Sequence, residues 1–122
     1  MTLRERQVKF LEMEARLILK AKELGPPIVR LEWLRSTETQ RAYVARGASK
    51  TMDSKHLIGL ASDYCFLEDL RDDGKINWAP DKYKPLGEFW ESLGGRWGGR
   101  FGDDPLTEKI EGWDAGHFEY KD

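Results

Sequence analysis

The 122 residues include one cysteine, two histidines and five prolines. A lone Cys65 excludes an internal disulfide, and with it the secreted disulfide scaffolds. No run approaches the ~20 apolar residues of a membrane span. The opening Met1-Thr2-Leu3-Arg4-Glu5-Arg6-Gln7 lacks the apolar core of a secretory signal. A soluble chain kept in a reducing compartment, without membrane insertion, is the expectation. Basic excess is missing as well: 20 Lys and Arg stand against 22 Asp and Glu, which argues against a dedicated nucleic-acid binder. What is present is 39% hydrophobic and 34% charged residues, enough for one domain, 1–122, around one modest core. Charge is uneven, with 11 Lys/Arg against 6 Asp/Glu in residues 1–50 and 9 against 16 in 51–122. An acidic half can concentrate cations, and long polar faces or loops explain it equally.

Thr2 followed three residues on by Glu5 forms a capping box, and the spacing predicts a scaffold helix over 3–24. Its buried stripe is read as Val8, Leu11, Ala15, Ile18 and Lys22, widened by Phe10, Leu17 and Leu24. Gly25-Pro26-Pro27 stops it. Ile28 to Trp33 reads as a short strand. Thr37 with Gln40 makes a second capping box, opening a helix that Gly47 closes. Asp63 to Leu67 is aromatic-rich and strand-like. The Asp73-Gly74 turn leads to a return strand carrying Ile76 and Trp78. Leu86, Phe89, Trp90 and Leu93 make a helical face that Gly94-Gly95 ends. Residues 94–112 read as a long loop with a short strand near Trp97, and His117 to Tyr120 as a last strand. Helices apart from short strands, with no β-α-β rhythm, predict an α+β fold with a small antiparallel sheet.

Both histidines have acidic neighbours. One lies in Ser54-Lys55-His56-Leu57-Ile58-Gly59-Leu60-Ala61-Ser62-Asp63, the other in Asp114-Ala115-Gly116-His117-Phe118-Glu119. If Tyr64 and Phe66 face the core, strand alternation puts Asp63 and Cys65 on the opposite face. In the same way, Phe118 and Tyr120 turn inward while His117 and Glu119 share the outer face. Pairing of the two strands then brings Asp63 and His117 together, and a tight turn at Gly59 returns His56 to the same spot. Two imidazoles and one carboxylate, with a fourth position for water, match a catalytic zinc site. Asp114 is poorly placed as a ligand and well placed as a general base. Glu119 is either a partner of His117 or a solvated edge residue, and Cys65 is read as an apolar filler. Trp90 is assigned to the core, with Trp33, Trp78, Trp97 and Trp113 left open. The stretch from Asp69 to Gly74 imitates a calcium loop, but Arg71 and Pro80 occupy ligand positions.

The pattern Ser54-x-His56-x-x-Gly59-x-Ala61-x-Asp63, with Asp114-x-x-His117-x-Glu119 downstream, resembles the zinc D-alanyl-D-alanine carboxypeptidase family. Within it the likeness is greatest to the L-alanyl-D-glutamate endopeptidases that phages use as endolysins. Leu34-Arg35-Ser36-Thr37-Glu38-Thr39-Gln40 resembles that family's arginine-bearing segment, and Arg96-Trp97-Gly98-Gly99-Arg100-Phe101 its Trp-Gly-Gly stretch. The likeness implies a metallo-DD-peptidase/hedgehog-like fold, with 28–120 as the catalytic core behind the N-terminal helix. It implies one Zn²⁺ per chain on His56, Asp63 and His117, and Asp114 as the catalytic acidic residue. Arg35 would polarise the scissile carbonyl or hold a substrate carboxylate, Ser54 would hydrogen-bond substrate, and Gln40 would line the same pocket. Glu32-Trp33-Leu34 departs from the family's Gly-Tyr-like approach to the arginine. The implied substrate is the peptide stem of peptidoglycan, cut between L-Ala and D-Glu. The implied setting is a monomer stored in the host cytoplasm until released to the wall. Rival functions are cleavage of the terminal D-Ala-D-Ala bond and a metal-stabilised binding module without activity. A ferrous oxygenase fits poorly, because that class favours a His-x-Asp pair on a closed β-sandwich.

Overall fold

The computed structural model describes residues 1–49, 52–101 and 114–122. The elements are α1 (Leu3–Leu24), β1 (Ile28–Glu32), α2 (Thr37–Ala45), β2 (Ala61–Phe66), α3 (Pro80–Ser92), β3 (Arg96–Trp97) and β4 (His117–Glu119). Short 3-10 turns at Lys55–Ile58, Leu67–Asp69 and Gly98–Arg100 link them. The sheet runs β1-β2-β4-β3 with antiparallel pairs. This is the α+β arrangement that the sequence predicts.

Thr2 Oγ1 accepts the Glu5 amide at 3.1 Å, and Gly25 takes a positive φ of 113° where α1 ends. The bounds of α1 match the sequence reading, and its buried face does so only at Phe10 and Leu17. Phe10, Met13, Glu14, Leu17 and Ala21 turn inward, while Val8, Leu11, Ala15, Ile18, Lys22 and Leu24 lie on the exposed side. Two apolar stripes run along this helix, and the larger aromatic one wins because Phe10 can meet Trp90 edge-on at 5.7 Å. Glu14 is buried against Ser62 Oγ, Arg30 and the Tyr64 hydroxyl, the last at 2.5 Å. A carboxylate inside the core is tolerated because every neighbour donates to it.

The second helix is capped one residue earlier than expected. Ser36 Oγ, not Thr37, accepts the Thr39 amide at 3.1 Å, and Gln40 turns inward. The expected return strand after Asp73-Gly74 reduces to a single bridge, Leu70 to Ile76. Asp69 is drawn inward to Lys82 and the Tyr83 hydroxyl, which takes the chain out of ladder register, and Trp78 lies outside any strand. The sequence reading of a long loop over 94–112 holds the short strand β3, but from Gly102 onward it lies outside the described residues.

The core packs α1 and α3 on one face of the sheet, through Phe10, Leu17, Leu86, Trp90, Tyr64 and Phe118 among others. Trp90 stacks edge-on against Phe118 at 5.9 Å, and its Nε1 donates to the Glu119 carbonyl at 2.9 Å. With that face filled, alternation leaves Asp63, His117 and Glu119 on the other side.

Candidate metal centre

β2 and β4 pair with Asp63 directly opposite His117, so two of the three candidate ligands meet through sheet register alone. The third arrives by a turn. Ser54 caps the Lys55–Ile58 turn, its Oγ accepting the His56 amide at 3.2 Å, and Gly59 closes it at φ 67°. A side chain at Gly59 would also press on Trp33 at 3.2 Å, so the tight return depends on glycine. The Arg35 amide donates to the His56 carbonyl at 3.0 Å, tying the arginine segment to this turn.

One nitrogen or oxygen from each of His56, Asp63 and His117 falls within 4.8 Å of the others. His56 Nδ1 donates to the Trp33 carbonyl at 2.7 Å. This fixes the tautomer and leaves Nε2 facing the cluster as a lone-pair donor. That Nε2 is buried without a hydrogen-bond partner, although Asp63 Oδ2 lies 3.1 Å away. A buried orphan acceptor is costly unless something fills the gap. With two imidazoles and a carboxylate converging, the donor set fits a divalent metal such as Zn²⁺.

His117 is gripped at both ends, Nδ1 at 2.9 Å from Asp63 Oδ1 and Nε2 at 2.8 Å from Glu119 Oε1. Glu119 is therefore a buried partner of the histidine, not a solvated edge residue. Burial works against the imidazolium, but the two carboxylates outweigh it and raise His117 to about 10 in the metal-free protein. Burial also works against the Asp63 charge, and the hydrogen bond from His117 leads the groups that reverse it, holding the carboxyl well below its usual range.

Asp114 sits beside this cluster, with Oδ2 3.9 Å from His117 Nδ1. Desolvation by the pocket walls pushes it up to about 6, the attraction of His117 only partly offsetting it. A carboxyl titrating near neutrality is suited to taking and returning a proton. Its position depends on the Trp-Gly-Gly stretch. A Cβ on Gly98 would lie 2.2 Å from the Asp114 carbonyl and 2.8 Å from His117 Cβ. Trp97, fully buried, donates from Nε1 to the Ala115 carbonyl at 2.7 Å.

These groups open onto a cavity of about 680 Å³ whose walls include Arg35, Ser54, His56, Asp63, Asp114 and His117. Arg35 is held from several sides: Nε donates to Glu32, Nη1 to Gln40 Oε1 at 2.6 Å, and the guanidinium stacks 4.5 Å from the Tyr43 ring centre. Its Nη2 lies 3.9 Å from Asp63 Oδ2. Gln40, expected to line the pocket, is instead fully enclosed behind Arg35 and donates to Ser49 Oγ at 2.9 Å. It buttresses the arginine rather than facing the cavity. Cys65 is enclosed too, away from the cavity walls, with its thiol pushed up by burial. Sequence reasoning missed Glu32, Tyr43, Arg96 and Phe101. The Glu32–Arg35 spacing of three was a usable signal, whereas the Trp33 carbonyl that orients His56 leaves none.

Fold and site together define the metallo-DD-peptidase architecture. The sequence profile of the D-alanyl-D-alanine carboxypeptidase family matches residues 47–120, and the chain belongs to that family. It is 38% identical over 79 residues to the L-alanyl-D-glutamate peptidase of Listeria phage A118, covering 62% of this chain and 26% of the relative. The chain thus spans about a quarter of that relative's length. The L-Ala D-Glu endopeptidase of Serratia marcescens superposes with a TM-score of 0.57 at 26% identity, over 94% of this chain and 77% of its own. A vancomycin-resistance D,D-pentapeptidase solved in complex with Zn(II) gives 0.57 at 20% identity, over 93% and 71%, and shares the fold.

Proposed function

We propose that this chain is a zinc-dependent peptidase of peptidoglycan stems, cutting between L-Ala and D-Glu in the service of phage-induced host lysis. The observation that carries the reading is the cluster of His56, Asp63 and His117 beside Asp114, all on one cavity. The choice of bond leans on the Listeria phage and Serratia relatives.

A Zn²⁺ held by the two histidines and Asp63 would supply Lewis acidity and a nucleophile at neutral pH. Asp114 accepts the proton of the attacking water and returns it to the leaving amine, the two-way transfer open to a carboxyl beside the site whose burial works against its charge. Arg35, fixed by Glu32 and Gln40, presents a constant positive charge beside Asp63 where the carbonyl oxygen gains charge. Ser54 holds the His56 turn at the cavity wall, within reach of a bound peptide backbone. A purely structural metal site has no use for Asp114, which disfavours an inactive binding module. Synthesis in the host cytoplasm and release to the wall at lysis belong to the same reading.

The test is digestion of purified peptidoglycan by the zinc-loaded chain, with mass spectrometry of the products. New D-Glu amino termini are expected. Release of terminal D-Ala would identify a carboxypeptidase, and no peptide product at all would leave only a binding role.

A further inference from the structure

Among the described residues, three Lys or Arg side chains line the cavity: Arg35, Lys55 and Arg96. Two of them are engaged. Arg35 is taken up by Glu32 and Gln40, and Lys55 Nζ donates to Asp122 Oδ2 at 2.7 Å. Arg96 differs. Its nearest carboxylate oxygen among the described residues, Glu119 Oε2, lies 3.9 Å away, beyond hydrogen-bond distance, and its side chain is 59% exposed. The guanidinium lies 4.6 Å from the Phe101 ring centre. Stacking of this kind limits the side chain's freedom while leaving its N–H edge available.

Sheet register places this group close to the chemistry. Arg96 pairs with Glu119 across β3 and β4, and Glu119 is bonded to His117. The same cavity is walled by Asp53, Asp63, Asp114 and Glu119, so a negatively charged substrate meets repulsion unless a cation receives it. A stem peptide cut at L-Ala–D-Glu carries such a charge. The α-carboxylate of D-Glu is attached to the carbon that bears the scissile nitrogen.

We infer that Arg96, stacked on Phe101, is the specificity-determining residue that receives the substrate carboxylate on the leaving-group side of the scissile bond. Arg35, committed to Glu32 and Gln40, is left to the carbonyl. This assignment rests on the peptidase reading above and adds the feature of the substrate that the cavity selects.

The experiment compares two synthetic stem peptides, one with the free α-carboxylate on its D-Glu residue and one with the α-carboxamide. Each is cleaved by the zinc-loaded parent, Arg96→Gln and Arg96→Lys. The parent is expected to favour the carboxylate peptide by about tenfold in kcat/KM, through KM, as one charge-assisted hydrogen bond at a part-exposed site allows. Arg96→Gln should erase that preference by lowering kcat/KM more on the carboxylate peptide than on the carboxamide peptide, and Arg96→Lys should restore part of it. Zinc content and circular dichroism should match the parent throughout. Equal losses on both peptides, or an unchanged preference in Arg96→Gln, would overturn the assignment while the peptidase reading stands. A parent that cleaves neither peptide at the L-Ala–D-Glu bond would overturn that reading and this one with it.

Discussion

Asp114 and His117 show how one cavity sets two titrations apart. Asparagine at 114 keeps the size of aspartate but cannot accept a proton near neutral pH. Asp114→Asn is therefore expected to reduce peptide cleavage by ~10²–10⁴-fold with bound zinc unchanged, as read by metal analysis and muropeptide release; loss of zinc in step with activity would make Asp114 a ligand instead. The same residue affects stability in the opposite sense. Its folded value of about 6 lies above the ordinary 3.8, so the folded state holds the extra proton and loses stability as pH rises between those values. The metal-free Asp114→Asn chain should accordingly melt above the parent at pH 7.5, the difference vanishing by pH 4. His117, raised to about 10, stabilises the metal-free fold fully below its ordinary 6.5 and loses that contribution as pH climbs through 10. A metal must displace its proton, so titration calorimetry at pH 8 in two buffers of different ionisation enthalpy should show about one proton released per zinc. Release near zero would mean that His117 is already neutral. These residues and their acidic neighbours were legible in the sequence. Their protonation was not, because it depends on burial and on Glu119 and Asp63 arriving at opposite ends of one ring.

At the scale of elements, the short pieces carry the precision. The Trp97-Gly98-Gly99 stretch is a spacer of minimal thickness: Trp97 bonds the Ala115 carbonyl, and Gly98 lets the Asp114–His117 turn come within what would be a clash for any Cβ. Gly98→Ala should displace ligand and base together and weaken zinc binding by about tenfold or more, measured by chelator competition; unchanged affinity would show that the turn moves without cost. Helix α1 is held differently, by the buried Glu14. Glu14→Ala strands the Ser62 and Tyr64 hydroxyls and is expected to lower unfolding stability by about 3 kcal/mol in urea titration. The start of α1 was readable because Thr2 and Glu5 are local. Its buried face was read correctly only at Phe10 and Leu17 because two stripes of similar hydropathy compete, and the position of Trp90 on α3 decides between them. The cap of α2 moved from Thr37 to Ser36 for a related reason: neighbouring hydroxyls offer equivalent local bonds, and the inward demand of Arg35 on Gln40 breaks the tie.

For the whole molecule, the metal site links parts that are far apart in sequence. His56 follows a turn, Asp63 lies on β2 and His117 on β4, so a metal that binds all three stabilises only the assembled fold. Zinc at a hundred times its dissociation constant should raise unfolding stability by about 2.7 kcal/mol, and His56→Ala should remove that gain in thermal melts with and without the metal. A gain that survives the substitution would place the metal elsewhere. By itself, the sequence determined the helices and the strands of the sheet though not the return segment after Asp73-Gly74, the two histidine motifs and the alternation that puts Asp63 and His117 on the face opposite Tyr64 and Phe118. Those features depend on periodicity and spacing along the chain, and both are written in the order of residues. Only the tertiary structure decided which stripe of α1 is buried, that Gln40 stands behind Arg35, that Glu119 closes on His117 and that Arg96, stacked on Phe101, lines the cavity without a close hydrogen bond to a carboxylate among the described residues. Each of those depends on which distant groups compete for the same neighbour, and that competition is settled only once the sheet has closed.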